Sequence, residues 1–591
     1  EIIENYLGFR FYSDKNTYVY NARTAHIPAD TDVFYRVPYE FRFSGGTVAN
    51  SDALYQYYYA LGCNGTPIYS GGEEKDGYLV GPRFILGHSF GYFRNIQSVP
   101  MPTEGDLQKR LSQKYVNGNQ ANSGKDPVSY NSWQPCCSDD ETYYEMFNGL
   151  LEITQMIQSW GAQNRYTDET ALISSYAMTW SINDSLTSCT CKPCTAKING
   201  KNIKLSSTSM KTITKNYTGE YTVENGRITF KKEGISGLFT DFCNRAAKEI
   251  TTLYGGNEFT YGEEGNFMYL NALDPEIRTV YENMHLNMII YDHTVPESVR
   301  PLSNLQIMYV SHGCYNHVLG TGDCKDGQTV LKGSNIQDDY AIKAWGEICN
   351  ESGASIWYYS HGVNYACTLC DSPNVTDFYW NAKYIRQCGF NGILFEGYTA
   401  GQKYETTFEN LKGYLASKMA FNPDMSYEEF TSLCKEWMYM YYGDGFEEVY
   451  RYMMLLEDAG DAAPCWTNNH DRPFDQYEPS YIKAHYEEMR ELVMTAISKA
   501  SDAYEEANCR SLLVSCDFLG LSACYKDMYT NGSDETKKLY EERYTNLYNY
   551  IVDNNISTYR DEAYPYPATI DFSSDPMVQF IGFASWRGIE Y

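Results

Sequence analysis

Residues 286–312 read LNMIIYDHTVPESVRPLSNLQIMYVSH, two short apolar runs that each end in polar side chains. Leu286–Ile290 and Leu305–Val310 are too short for helices, and as mainly apolar runs, broken only by Asn287 and Gln306, they read as buried strands. The first run hands over to Tyr291, Asp292, His293 and Thr294, the second to His312. The same unit recurs outward along the chain. Strands are expected at Arg83–His88, Trp133–Cys137, Tyr176–Asp184, Leu286–Thr294, Leu305–His312, Ser355–His361 and Gly392–Glu396. Helices are expected between or after them at Gly237–Leu253, Ile336–Glu351, Asp377–Gln387 and Thr406–Met419. In the third of these, Phe378, Tyr379, Ala382 and Ile385 fall on one side at helical spacing. Strands alternating with helices form βα units and a mainly parallel sheet. Seven strands and one unassigned favour an α/β fold of (β/α)8 TIM-like barrel type over an open sheet.

Around that core the character of the chain changes twice. Residues 1–45 read as the end of a small N-terminal α+β domain, with a helical Ile2, Ile3, Tyr6, Leu7 spacing, a Gly8 cap and a strand-like Phe9-Arg10-Phe11-Tyr12. A chain that opens inside a fold implies further N-terminal protein, a signal peptide included. The barrel is expected over 46–424. It is interrupted at about 195–235 by a β-hairpin, signalled by Asn225-Gly226 between Tyr221-Thr222-Val223 and Arg227–Phe230. Residues 255–275 read as a second irregular excursion. From 425 to 565 the spacing turns to long amphipathic helices (Tyr427–Tyr442, Phe446–Glu457, Ser480–Asn508, Arg510–Tyr529, Asp534–Asn554), an all-α domain. A tail, 566–591, follows.

Composition limits the partners. The 591 residues carry 47 basic and 76 acidic side chains, a net charge of −29. Docking on nucleic acid needs a positive face, so nucleic acid is not an expected partner. No run of 18 apolar residues exists to cross a membrane. The 57 tyrosines and 9 tryptophans suit both ordinary packing and the faces of sugar rings. The 18 cysteines include Cys189, Cys191 and Cys194, then Cys367 and Cys370. Such spacing can hold a structural zinc if a fourth ligand comes from elsewhere, or a disulfide or free thiols that brace a loop. No dinucleotide, Walker or Gly-x-Ser-x-Gly motif is present, and no cofactor is implied.

In an α/β barrel the chemistry sits at the C-terminal ends of the strands. Of nine histidines, His88, His285, His293, His312, His317 and His361 fall in the barrel region, most at strand ends. Asp184 and Glu396 each end a run that should be buried, and a carboxyl leaving such a run for a cleft is partly desolvated, which raises its pKa. That pair, with Asp292 as substitute, fits the acid and the base or nucleophile of glycoside hydrolysis. His88, Trp133, Asn183, Tyr291, His293, His312, Tyr359, His361, Asn364 and Tyr398 are the candidates for holding hydroxyls and stacking on a sugar ring. Competing structural roles are a turn cap for Asp184 and an ion pair for Glu396.

The residues also carry a resemblance. Leu7-Gly8-Phe9-Arg10-Phe11-Tyr12 resembles the junction before the barrel in family 20 hexosaminidases and family 67 α-glucuronidases. More specifically, the chain resembles a bacterial domain-of-unknown-function family in the TIM-barrel glycosidase clan. The matching segments are Asn183-Asp184 with Cys189, Cys191 and Cys194; Tyr291, Thr294 and Pro296; Ile356-Trp357-Tyr358-Tyr359; and Met419–Pro423 with Tyr441-Tyr442-Gly443. The resemblance implies a barrel and sugar chemistry. It departs from family 20 in having Asn183-Asp184 and Asp292-His293 where those enzymes carry Asp-Glu. The position of Glu396 is often glutamine in the pattern it resembles. The expected function is thus an extracellular or cell-surface glycoside hydrolase, exo-acting on a terminal sugar such as an amino sugar or uronic acid of a host or plant glycan. The alternative is a non-catalytic carbohydrate-binding protein on the same barrel, and a lesser one is a metal-dependent hydrolase using the histidines.

Overall fold

A computed structural model describes residues 9–12, 17–19, 35–46, 57, 60–63, 66–67, 83–84, 137, 143, 146–147, 150, 177–180, 202–204, 221–225, 227–230, 235–254, 285–290, 295–297, 299–311, 314, 316–320, 335–349, 354–358, 369–370, 372–397, 408–464, 476–554, 556 and 569–581. In these, β1 (Phe9–Phe11) pairs antiparallel with β2 (Thr17–Val19). The strands β3 (Phe41–Gly46), β4 (Thr66–Pro67), β5 (Arg83–Phe84), β6 (Ala177–Thr179), β10 (His285–Ile290), β11 (Leu305–Ser311), β12 (Ala354–Tyr358) and β13 (Gly392–Gly397) form one eight-stranded sheet. Between β6 and β10 lies a three-stranded antiparallel insertion, β7 (Asn202–Lys204), β8 (Tyr221–Glu224) and β9 (Arg227–Phe230). Its β8–β9 turn holds Asn225 at φ 51°, the left-handed conformation that the Asn-Gly signal anticipates.

Every pairing within the large sheet is parallel. The order is β3-β13-β12-β11-β10-β6-β5-β4. From β4 to β13 each strand therefore lies beside its predecessor in the sheet, and β13, the last, lies beside β3, the first. The register runs Gly392 opposite Phe41, Ser355 opposite Gly392, Ile307 opposite Ala354, Leu286 opposite Leu305 and His285 opposite Ala177.

Register and the strand period of two assign each residue to a face. Arg42, Phe395, Ser311, Tyr309 and Trp180 fall on the same one, and each meets a helix there. The Arg42 guanidinium lies 5.9 Å from the ring of Phe421 in α4 (Glu409–Phe421). Phe395 meets Phe378 of α3 (Asp377–Gln387) edge to face at 5.3 Å. Tyr309 and Ser311 bond Asp338 of α2 (Asn335–Ile348), and Trp180 stacks on Phe242 of α1 (Ile235–Tyr254) at 6.0 Å. The opposite face carries Phe41, Asn287, Ile289, Met308, Val310 and Leu394, all buried. The helix contacts named above all fall on the first face, yet the accessibility of Leu394 and Met308 on the second is 0%.

The second body is helical: α5 (Tyr427–Tyr442), α6 (Phe446–Asp461), α7 (Pro479–Lys499), α8 (Ala503–Tyr525), α9 (Asp534–Asp553) and α10 (Pro576–Ile581). Ser426 caps α5 by accepting from Glu429 N at 3.1 Å, and Gly443 ends it at φ 62°. The helix expected over Ser480–Asn508 is instead broken at residues 500–502. There Asp502 accepts from Tyr504 N and Glu505 N, both at 2.9 Å, and starts α8. The second helix then absorbs the expected Arg510–Tyr529 as far as Tyr525, and Lys526–Thr530 continues it as a π-helical turn. Of the expected strand at 133–137, Cys137 sits in a turn and the rest lies outside the described residues. The expected N-terminal helix at 2–7 and the excursion at 255–275 also lie outside them. The β3 strand falls in the stretch read as the end of the N-terminal domain, yet it pairs along its whole length with β13.

Burial on both faces makes a direct prediction. Leu394→Ala should cost about 2–5 kcal/mol in urea unfolding, the range for a fully enclosed leucine. A loss well under 1 kcal/mol would show that its face is open to solvent.

Candidate functional site at the C-terminal edge of the sheet

Parallel strands deliver their C-terminal ends to one edge. There the ends Phe84, Thr179, Ile290, Ser311, Tyr358 and Gly397 lead, within a few residues of sequence, to the candidate groups. His88 comes four residues after β5, and Asn183 and Asp184 four and five after β6. Tyr291, Asp292 and His293 follow β10 directly, His312 follows β11, and Tyr359, His361 and Asn364 follow β12. Glu396 is the penultimate residue of β13, opposite Gly45 of β3, and Tyr398 follows that strand. Asp184, Asp292, His88, Trp133, Asn183, Tyr291, His293, His312, Tyr359, His361, Asn364 and Tyr398 lie outside the described residues, as does the side chain of Glu396. Cys189, Cys191, Cys194 and Cys367 lie outside them too. Cys370 is buried, and no cluster able to hold a metal occurs among the described residues.

What the structure does describe is how the segments leaving this edge are held. Those after β10, β11 and β12 are pinned by buried polar side chains at or near helix ends. After β10, Ser236 donates to Val295 O at 2.7 Å, and Glu297 accepts from Gly237 N at 2.7 Å at the start of α1. A carboxylate at a helix N-terminus meets unsatisfied N–H groups and the positive end of the helix dipole. The last turn of β11 is fixed by Asp338, fully buried, whose two carboxylate oxygens accept from the Tyr309 and Ser311 hydroxyls. Ser311 is the residue before His312.

Beyond β11, Asn316 is the tie. Its Nδ2 donates to Gly460 O at 2.9 Å, with Pro464 O at 3.3 Å and Gln476 O at 3.5 Å, and its Oδ1 accepts from Cys314 Sγ at 2.7 Å. His317 Nδ1 lies 3.1 Å from the same thiol, and Leu319 N donates to Asn381 Oδ1 at 2.8 Å. Beyond β12, Glu457 of α6 caps α3 from another element. It accepts from Val375 N at 2.5 Å, from Thr376 N at 3.2 Å and from the Thr376 hydroxyl. Lys412 of α4, buried, donates to Ser372 O at 2.7 Å, and Ser372 Oγ donates to Gln476 Oε1 at 2.7 Å. Asn374, the acceptor position of a glycosylation sequon, is 1% exposed in this junction and has no room for a glycan.

Burial sets the electrostatics. It pushes the Glu457 carboxyl up to about 7, against the bonds from Thr376 and Val375 and the Lys412 charge, which favour its ionised form. Asp377 is also raised, first by burial and then by the negative charges of Glu457 and Asp461, with Lys412 opposing. Sequence reading passed over Asp338, Asn316 and Glu457. A signal existed for Glu457: with Met453 and Gly460 it shares the buried stripe of α6, at a position where a charge needs partners. Asp338, aligned with buried Ala341 and Ile342, stands out for the same reason.

The Domain of unknown function (DUF4838) family matches residues 115–454, well over half of the chain, and the chain belongs to that family. No curated protein matches it. Among solved structures it is similar to one described as a GH138 enzyme targeting pectin rhamnogalacturonan II, at 11% identity and a TM-score of 0.29. That alignment covers 81% of this chain and 60% of the enzyme, so the chain spans well under that enzyme's full length.

The sign of the pH dependence follows from Glu457. Its folded pKa, about 7, lies above an unfolded value of about 4.3, so the folded state holds the extra proton between them. Stability from this group is greatest at the acid end of that window and falls as pH rises through it. Glu457→Gln should match wild type near pH 5 and melt at least about 2 °C higher near pH 8. Parallel melting curves at every pH would contradict the assignment.

Proposed function

We propose that this DUF4838 chain is a glycoside hydrolase whose catalytic domain is a closed (β/α)8 barrel. The observation that carries the reading is the strand order. Each of seven strands follows its sequence neighbour in one direction, and the last pairs with the first. Right-handed crossovers in such a series set the connecting helices on one face, where α1–α4 are found. The other face carries none of the helix contacts named above and is buried, which is what closure of the sheet on itself produces.

In that barrel β6 is the fourth strand and β13 the eighth, so Asp184 and Glu396 belong to opposite walls of one mouth, with Asp292 on the fifth strand. One carboxylic acid protonates the glycosidic oxygen as it leaves; the other carboxylate attacks the anomeric carbon or activates a water. Their separation decides the outcome, about 5–5.5 Å for retention and about 6.5–9.5 Å for inversion. His88, His293, His312, His361, Asn183, Asn364, Tyr291, Tyr359, Tyr398 and Trp133 hold hydroxyls and a ring face. The substrate is a terminal sugar, an amino sugar or a uronic acid, of a glycan met outside the cell. The domain limits follow the sequence, with the helical body from about residue 425.

The second reading, glycan binding without turnover, is favoured by Asn183-Asp184 standing where family 20 enzymes carry Asp-Glu. A panel of aryl glycosides and natural glycans separates the two. Turnover is expected, unaffected by EDTA, with Asp184→Asn and Glu396→Gln each slower by about 10²–10⁴-fold while remaining folded. Full activity in both variants overturns the roles. Binding by wild type with no turnover of any glycan selects the second reading.

A further inference from the structure

The helical body meets the candidate edge at one turn of α6, residues 457–461, and at Pro464 and Gln476 beyond it. Three contacts meet at that turn. Glu457 caps the segment entering α3, which follows β12. The carbonyl of Gly460 accepts from Asn316, five residues beyond β11. The Cα of Gly460 lies so close to Pro373 that a Cβ on it would overlap the proline ring. Two consecutive segments leaving the sheet edge are thus seated on the same helical turn.

Resting on the reading of the preceding subsection, we propose that this turn is a positioning element of the glycan site. Asn316 and Glu457 are its positioning residues. They act through the segments that lead from His312 and from Tyr359, His361 and Asn364, and they touch no substrate themselves. An amide that bridges a helix-end carbonyl and a thiol fixes a segment in a way that general packing does not, because its bonds are directional. The titratable groups facing Glu457 are Asp377 from α3, Lys412 from α4, Tyr427 and Cys434 from α5, and Tyr450 of α6 itself. Of these only Lys412 favours its charged form, so the capping bonds carry the rest of the attachment.

The test uses the full chain with five changes: Asn316→Ala, Asn316→Ser as a milder form, Gly460→Ala to wedge α6 away from Pro373, and Glu457→Gln and Glu457→Ala at the cap. Hydrogen–deuterium exchange is followed in peptides spanning 312–320 and 369–376, with peptides from α7 and α8 as internal reference. Asn316→Ala and Asn316→Ser should speed exchange in 312–320 by about tenfold and leave α7 and α8 unchanged. Gly460→Ala should speed both segments. On whichever glycan the wild type turns over, the same variants should lose about tenfold in kcat/KM, and Glu457→Gln should lose less than Glu457→Ala. Exchange and kinetics both at wild-type levels in the folded variants overturn the proposal. Faster exchange with unaltered kinetics on a turned-over glycan also overturns it, since the segments would then be held for stability alone. If the wild type acts on no glycan, the reading of function fails separately, and unchanged exchange in the segments would still refute the attachment.

Discussion

Parallel pairing of each strand with its sequence neighbour, carried through until β13 meets β3, is the constraint on which the molecule depends. A parallel sheet built in one direction gives every crossover the same hand, so its helices gather on a single face. The remaining face must be covered by something else, because Leu394, Met308, Ile289 and Phe41 are removed from water there. Under the closed barrel proposed above, that demand is met with no further element once the sheet curls until its edge strands, β3 and β4, meet. The same order brings every C-terminal strand end to one rim. Fold and site are in this sense one consequence.

A rim made of strand ends is inherently irregular, and irregular backbone needs partners. The structure meets that need with buried polar residues rather than with more secondary structure. Glu297 and Glu457 serve helix N-termini, Asp338 takes two hydroxyls from β11, and Lys412 and Asn316 take carbonyls. These groups are desolvated, and their hydrogen bonds offset that cost only while the geometry is kept. Such ties are stiff, which is what residues positioned for chemistry require. The helical body enters the same scheme through the α6 turn, so it is more than an appended domain.

Much of this was legible in the sequence, for physical reasons that differ between elements. β10 and β11 announce themselves because strands covered on both faces read as near-continuous apolar runs. The helix at Asp377–Gln387 and the one at Tyr427–Tyr442 are bounded as expected: an amphipathic stripe marks the first, and a Ser426-x-x-Glu429 cap opens the second. β3 was not legible: Phe41-Arg42-Phe43-Ser44-Gly45-Gly46 lies in the stretch expected to end the N-terminal domain, its glycines weaken a strand signal, and its partner β13 is distant in sequence. The break between α7 and α8 was hidden by apolar spacing that runs on through it, although Asp502 with Glu505 three residues later is itself a helix-start pattern. Asp338, Asn316 and Glu457 escaped because their partners are distant in sequence and only the fold brings them together. The candidate carboxylates and histidines were legible as strand-end residues, which is a statement about position along the chain and not yet about distance across the mouth.

The claim that decides the account is closure, and β3 and β4, the strands at the two ends of the sheet order, test it. Spin labels introduced on noncanonical residues at 40 and 66, next to β3 and at the start of β4, report their separation by double electron–electron resonance. Neighbouring staves of a closed barrel predict a distance of about 20 Å or less with the label tethers included. An open sheet sets the same labels seven strand spacings apart, about 34 Å at about 4.8 Å each, and that result would contradict it.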